Sequence, residues 1–229
     1  MAYKWQERSS AQEADFMIAT IAHLLEDGER AFHGVSSQLP MVAMKLAKAM
    51  YTPNLTLLNI PGGVNSKETK LSDYSSASNE LWKLSEGTFP LEDIFDLSMR
   101  GGLDVAFLSG VQFDMHGHIN ASVIGDYHKP KVRLPGGAGS AVLIPTVKKA
   151  IIWRTKHDLK TFVPKVDFVT TKGNLYKIVT PLALFGVRNG QLVLEGKHPD
   201  VTYEALQTQT GFSLDFTQCR DLPLPTAKE

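Results

Sequence analysis

The segment from Ala11 to about Phe32 repeats apolar residues (Phe16, Ile18, Ile21, Ala22, Leu25) at three- and four-residue steps. That spacing predicts a helix with one buried face, closed by Asp27-Gly28. From Leu39 to Met50 the residues Met41, Val42, Met44, Leu46, Ala47 and Met50 fill most of a helical circumference, so this second helix should be largely buried. Thr52-Pro53-Asn54 breaks it, and Leu55 to Ile60 reads as a short strand running straight into Pro61-Gly62-Gly63. The polar, partly Ser-rich stretch from Val64 to Pro90 has little periodicity and is assigned no regular structure, only a long surface excursion or the rim of a site.

Beyond it, a helix from Leu91 to Met99 closes at Arg100-Gly101-Gly102, and Leu103 to Leu108 reads as a buried strand that Gly110 ends. An extended segment (Ile119 to Ile124), a glycine-rich turn (Pro135 to Gly139) and two strand candidates (Ala150 to Trp153, Val166 to Val169) follow. Ile178 to Val187 and Gln191 to Leu194 flank Arg188-Asn189-Gly190, whose Asn-Gly step signals a hairpin. Thr202 caps a last helix, Tyr203 to Thr210, stopped by Gly211, and Leu222 to Pro225 should lie extended over the surface. Helices alternating with strands predict an α/β fold: an open, mainly parallel sheet flanked by helices, with an antiparallel hairpin near the C-terminus. With no repeat, charge block or linker, residues 1–229 read as one domain.

Composition narrows the partners. Lys plus Arg equals Asp plus Glu at 24 each, so no whole-molecule field draws polyanions, and basic residues are not interleaved with aromatics as a nucleic-acid surface requires. No apolar run approaches the roughly 18 residues of a membrane span, and no signal-peptide pattern opens the chain. The single cysteine, Cys219, fits a reducing compartment, and the expected location is cytoplasmic. His116 and His118 lack a third metal ligand at a known spacing, so no metal is expected. His23, His33, His157 and His198 read as satisfied histidines, and Trp82 and Trp153 as packing residues.

The chemistry concentrates between Ile124 and Ser140. Small residues from Gly136 to Gly139 leave backbone amides uncovered for a phosphate or a developing oxyanion, while Lys129, Lys131 and Arg133 alternate on one face just upstream. Ile119-Asn120-Ala121-Ser122, Ile124-Gly125-Asp126-Tyr127-His128, Pro130-Lys131 and the glycine turn together resemble β-type subunits of the class I coenzyme A-transferase family, in the glutaconate CoA-transferase branch. In the same order come Leu39-Pro40 with Leu46-Ala47-Lys48, Tyr51-Thr52-Pro53-Asn54, Gly110-Val111-Gln112-Phe113-Asp114 with Gly117-His118-Ile119-Asn120, and His198-Pro199-Asp200-Val201-Thr202 with Thr210-Gly211-Phe212. The resemblance covers roughly residues 12 to 216.

It implies an open-sheet α/β fold and a homologous α-type partner, in an α2β2 assembly, with an acyl-CoA site between the two subunits. It implies no cofactor beyond the coenzyme A of the substrate. Transferases of this family attack the acyl-CoA with a β-subunit glutamate that follows the strand after the Pro-Asn turn. Here Ile60 stands at that position, and isoleucine forms no anhydride. Glu68, Asp73, Glu80 and Glu86 are the nearest downstream carboxylates, and one of them could serve only through a rearranged loop. Val35-Ser36-Ser37-Gln38 also replaces glycines usual ahead of Leu-Pro.

Family members without the glutamate resemble decarboxylases of glutaconyl-type thioesters or hydrolases of a ring C–C bond, in which an oxyanion turn stabilises an enolate. The sequence therefore points to a β-type subunit acting on acyl-CoA by C–C hydrolysis or decarboxylation. The candidate catalytic residues are Asn59, Gly137, Ala138 and His128. The candidate substrate- or CoA-binding residues are Ser37, Gln38, Pro61, Gly62, Tyr127, Gly136, Gly139 and Ser140. The alternatives are a transferase moving CoA between carboxylic acids and a non-catalytic scaffold for the α-type partner.

Overall fold

A computed structural model describes residues 7–67 and 75–229, so Glu68 and Asp73 lie outside the described residues. In chain order the helices are α1 (Ser10–Ala22), α2 (Gln38–Met50), α3 (Asn79–Lys83), α4 (Glu92–Met99), α5 (Ser140–Thr146) and α6 (Tyr203–Thr208). The strands are β1 (Arg30–His33), β2 (Thr56–Asn59), β3 (Gly63–Val64), β4 (Gly87–Thr88), β5 (Val105–Leu108), β6 (Gln112–Phe113) and β7 (Ile119–Asn120). They continue as β8 (Val123–Gly125), β9 (Pro130–Arg133), β10 (Lys149–Trp153), β11 (Leu175–Val179), β12 (Ala183–Arg188), β13 (Gln191–Lys197) and β14 (Arg220–Asp221).

Ten strands form one sheet in the order β14-β13-β12-β11-β10-β5-β1-β2-β3-β4. Its middle, from β11 to β2, is parallel, and antiparallel strands extend it at both ends, as an α/β architecture with a C-terminal hairpin requires. Alternation along β5 sends Val105 and Phe107 to one face and Ala106 and Leu108 to the other. The first face packs Phe16, Met17 and Ile21 of α1 and Ala43, Met44 and Ala47 of α2. The second packs Ile94 of α4, Leu143 and Ile144 of α5, and Ala205 and Leu206 of α6.

Several sequence expectations change. The first helix ends at Ala22, and the residues beyond Asp27-Gly28 form β1, a strand in the middle of the sheet. Val166 to Val169 is not a strand: only Val166 is buried, and the Asp167 carboxylate accepts from Gln112 and the Gly125 amide instead of leaving a free edge. The run from Ile178 to Val187 is two strands, turned at Pro181 within Thr180–Leu182. The Val64–Pro90 excursion carries three short elements, β3, α3 and β4. The Asn189-Gly190 turn holds, with both residues at positive φ (51° and 75°) as a type I′ hairpin demands. Trp82 is exposed rather than packed.

From β1 the chain crosses through α2 on one face to β2, and later returns through α4 on the other face to β5 on the opposite side of β1. The strand order thus reverses at β1, and the carboxyl ends of β1 and β5 open a crevice where ligands of such sheets bind.

Candidate active site

A cleft of about 720 Å3 occupies that crevice. Its floor comes from the ends of the parallel strands: Phe32 in β1 and Gly34–Ser37 after it, Ile60 after β2, Phe107–Val111 around the end of β5, and Trp153–Thr155 at the end of β10. Leu91, Phe95 and Leu143 close one side, and Pro135–Ser140 form the wall above them with Ala121. Among the described residues no aspartate or glutamate lines the cleft, and Arg154 is its one charged lining residue.

The glycine turn is built into the start of α5, a helix that Pro145 conceals in the sequence. The Gly136 amide donates to the Ala121 carbonyl at 2.7 Å and Ser140 donates back to the Gly137 carbonyl at 2.8 Å, while the amides of Gly137, Ala138 and Gly139 meet no acceptor among the described residues. At Gly137 a side chain does not fit freely. A Cβ on Gly137 would lie 2.9 Å from Ala141 Cβ and 3.1 Å from Thr170 Cγ2. Three successive uncommitted amides beside a largely apolar cleft supply what a developing oxyanion needs.

Behind the turn stands a buried polar network. Asn120 Nδ2 donates to Gln112 Oε1 (2.7 Å) and the Val123 carbonyl (2.6 Å), and its Oδ1 accepts from Ser122 N (3.0 Å). Thr170 Oγ1 accepts from the Ala121 amide at 2.9 Å, so the segment on which Gly136 leans is fixed. Burial alone would raise the Asp114 pKa, but hydrogen bonds from His118 Nδ1 and the amides of Val166, His116 and His118 hold it below the ordinary value. The Gln112, Asp114 and Asn120 positions therefore act as braces, and His118 is already engaged by Asp114 at 3.0 Å.

The opposite wall works differently. Asn59 is buried and turned away from the cleft: its Oδ1 accepts from Gly63 N at 2.7 Å, and its Nδ2 donates to the Leu81 carbonyl. The sequence assigned it a catalytic role, but its amide is spent on the turn. Gly62, at φ 93°, packs so closely that a Cβ would sit 2.1 Å from the Phe89 carbonyl oxygen. Neither Gly62 nor Pro61 lines the cleft; between them and Asn59, Ile60 alone is presented to it. Glu80 pairs with Lys83, and Glu86 with Lys67 and Asn65, so neither carboxylate reaches the cleft.

Of the remaining candidates, Ser37, Gly136, Gly137, Ala138, Gly139 and Ser140 line the cleft, and Gln38, exposed at the start of α2, does not. The Ser37 loop is pinned by buried Ser76, whose Oγ accepts from Ser37 N (2.9 Å) and donates to the Gly34 carbonyl (3.1 Å). Tyr127 and His128 lie in the connection between β8 and β9, outside the cleft. Tyr127 stacks on Phe168 at 4.8 Å with Arg133 over its ring, and the His128 amide donates to Asp126. The sequence reading missed Trp153 as a lining residue, along with Ser109 and Arg154. Their signal was position, because each ends a strand of the parallel sheet or directly follows one.

Comparison with known proteins identifies the family and agrees with the fold. The family model described as coenzyme A transferase matches residues 15–204. The chain is 32% identical to the B-type subunit of 3-oxoadipate CoA-transferase from Pseudomonas knackmussii, covering 94% of this chain and 89% of that protein. It is 24% identical to the B-type subunit of glutaconate CoA-transferase from Acidaminococcus fermentans, covering 92% and 86% respectively. The crystal structure of the decarboxylase AibA/AibB superposes with a TM-score of 0.88 at 25% identity, covering 94% of this chain and 90% of that one. Sequence and fold converge, and the chain belongs to the coenzyme A transferase family as a member of its B-subunit type.

Proposed function

We propose that the chain is the β-type subunit of a heteromeric enzyme, paired with an α-type subunit in an α2β2 assembly, that cleaves a C–C bond of an acyl-CoA thioester by decarboxylation or hydrolysis. The observation that carries this reading is the Ile60 wall: an apolar residue faces the cleft where the family's transferases need a glutamate, and no carboxylate among the described residues lines the cleft. In decarboxylation the acyl carboxylate leaves as CO2, and in hydrolysis water adds to the carbonyl carbon that departs as a carboxylic acid. In both, the electron pair of the broken C–C bond moves into the thioester and places negative charge on its carbonyl oxygen, and the enolate then takes a proton at carbon from solvent. The Gly137–Gly139 amides hold that charge without proton transfer. The likeness to the AibA/AibB decarboxylase fits such chemistry. No cofactor is required beyond the coenzyme A of the substrate.

One observation favours transfer of CoA between acids instead, namely the 32% identity with a 3-oxoadipate CoA-transferase chain. Covalent trapping separates the two. The complex of this chain with its α-type partner is incubated with acyl-CoA, treated with borohydride or hydroxylamine, and analysed by mass spectrometry. A transferase leaves a modified glutamate derived from its enzyme thioester. The expected result is an unmodified chain with continuing loss of substrate. Modification at any glutamate of this chain would establish the transferase reading.

A further inference from the structure

We propose that Thr170 is the positioning residue of the amide wall: it does not line the cleft, but it sets where the Gly137–Gly139 amides stand; this rests on the acyl-CoA reading above. The turn holds a strain that it cannot relieve by itself. Gly136 takes φ 91°, and Ala138, which carries a side chain, takes φ 41°. A left-handed alanine is unfavourable and persists only where its surroundings hold it. Thr170 reaches the turn by two routes. Its Oγ1 accepts from the Ala121 amide at 2.9 Å, and the Ala121 carbonyl accepts from the Gly136 amide at 2.7 Å, so the hydroxyl fixes the residue at which the turn begins. Its Cγ2 lies against Gly137, where an added Cβ would come within 3.1 Å of it. The side chain is itself held, because its hydroxyl shares a hydrogen bond with Ser122 Oγ at 2.6 Å and its backbone amide donates to the Ile119 carbonyl at 2.9 Å.

The residues that follow lock the far end of α5. Asn174 donates from its amide to the Ile144 carbonyl at 2.9 Å and from Nδ2 to the Val147 carbonyl at 2.8 Å. Gly173 passes so close to the helix that a Cβ would lie 2.5 Å from Pro145 Cα. With α5 fixed there, the strained turn can relax only at its entry, and Thr170 is the side chain that opposes the movement. Asn120 stops one step short, since its amide group bonds Gln112, Ser122 and Val123, none of which belongs to the turn. Oxyanion donors act through exact placement, so a small shift at Gly136 is enough to weaken all three amides behind it.

The test compares binding of acetyl-CoA and S-ethyl-CoA, in which a methylene replaces the thioester carbonyl, to the complex with its α-type partner. The ratio of the two affinities reads the hydrogen bonds to the carbonyl oxygen and nothing else. The native complex should bind acetyl-CoA about tenfold more tightly. Thr170→Val keeps the shape of the side chain and removes the hydroxyl; it should cut the ratio to about twofold and leave S-ethyl-CoA affinity within about twofold of native. Thr170→Ser, which restores the hydroxyl without the methyl, should keep the ratio within about threefold of native. Asn174→Ala should lower the denaturation midpoint and leave the ratio within about twofold, which separates stability from placement. The proposal is overturned if folded Thr170→Val keeps the native ratio, if it weakens both ligands equally, or if Asn174→Ala removes the preference as fully. Equal binding of both ligands by the native complex would overturn this proposal alone. Binding of neither would remove the acyl-CoA reading and this proposal with it.

Discussion

The two walls of the cleft are both glycine-containing turns after a β-strand or extended segment, yet they spend their polar groups in opposite ways. At Asn59–Gly63 every prominent donor and acceptor is used internally: Asn59 Oδ1 takes the Gly63 amide, the Gly62 amide donates to the Asn59 carbonyl, and the Phe89 amide donates to the Gly62 carbonyl. What remains to face the cleft is the hydrocarbon of Ile60. At Gly136–Gly139 the network of Asn120 and Thr170 holds the backbone from behind and leaves three amides uncommitted among the described residues. On the proposed reading, the reactive groups of this site are main-chain amides rather than a side chain. An amide wall needs no titration and no nucleophile, but it tolerates almost no change in backbone position.

The largest effect should come from damaging the amide wall. Gly137→Val pushes a branched side chain against Ala141 and Thr170, and should lower turnover on the order of 100-fold or more while the fold survives, as circular dichroism and steady-state kinetics would report together. Unchanged turnover would favour a scaffold role for the chain. Damage to the satisfied wall should appear in stability instead. Asn59→Ala strands the buried Gly63 amide and should cost about 2 kcal/mol in chemical denaturation, with a much smaller effect on turnover than Gly137→Val.

His33, at the end of β1 between these walls, sharpens the contrast through pH. Burial depresses its pKa to about 4, against a weaker opposing hydrogen bond to the Gly34 carbonyl. Above the unfolded value near 6.5 both states are neutral; as pH falls from there toward 4, only the unfolded chain takes up the proton. Stability should therefore fall by about 1.4 kcal/mol per pH unit from this one group, reaching about 2 kcal/mol at pH 5. His157 and His198, depressed by burial to about 3 and about 4, add slopes of the same sign. The difference between native and His33→Asn unfolding curves across pH 7 to about 4.5 isolates the contribution of His33. Parallel curves would show that His33 is protonated as easily in the folded protein as in the unfolded one.

Long, locally encoded features were legible in the sequence: the apolar circumference of α2, the Asn189-Gly190 hairpin, the strand running into Pro61-Gly62, and the glycine turn. Features defined by their surroundings were not. β1 has only Ala31 and Phe32 as apolar residues, too short for a period, and becomes a strand because β2 and β5 flank it. α5 hides behind Pro145, and Val166–Val169 alternates like a strand although its polar member, Asp167, braces Gln112 and Gly125. Motif order located the glycine turn that lines the cleft, but it could not tell a residue that faces the cleft from one that builds a turn, as Asn59 does by accepting from the Gly63 amide. Trp153 and Arg154 went unremarked because their place at the cleft is set by where β10 ends, which no motif in the sequence marks.

The same distinction predicts the smallest effect. Tyr127 and His128 belong to the stretch that also contains the glycine turn, and adjacency in sequence made them candidate site residues. The β8–β9 pairing carries them away: Ile124 pairs with Val132 and Gly125 with Pro130, so residues 126–129 form the connecting turn and the chain returns before it reaches the cleft wall. Asp126 Oδ1 accepts the amides of both His128 and Lys129, which ties the turn to itself rather than to the site. A proton donor must come within hydrogen-bond reach of the reacting atom, directly or through one water. His128→Ala should accordingly leave turnover of the complex within about twofold, the range of an ordinary surface substitution. A loss comparable to that of Gly137→Val, with a flattened pH–rate profile, would mean that the α-type partner completes the site around this hairpin, and the reactive amide wall would then share its work with a titrating side chain.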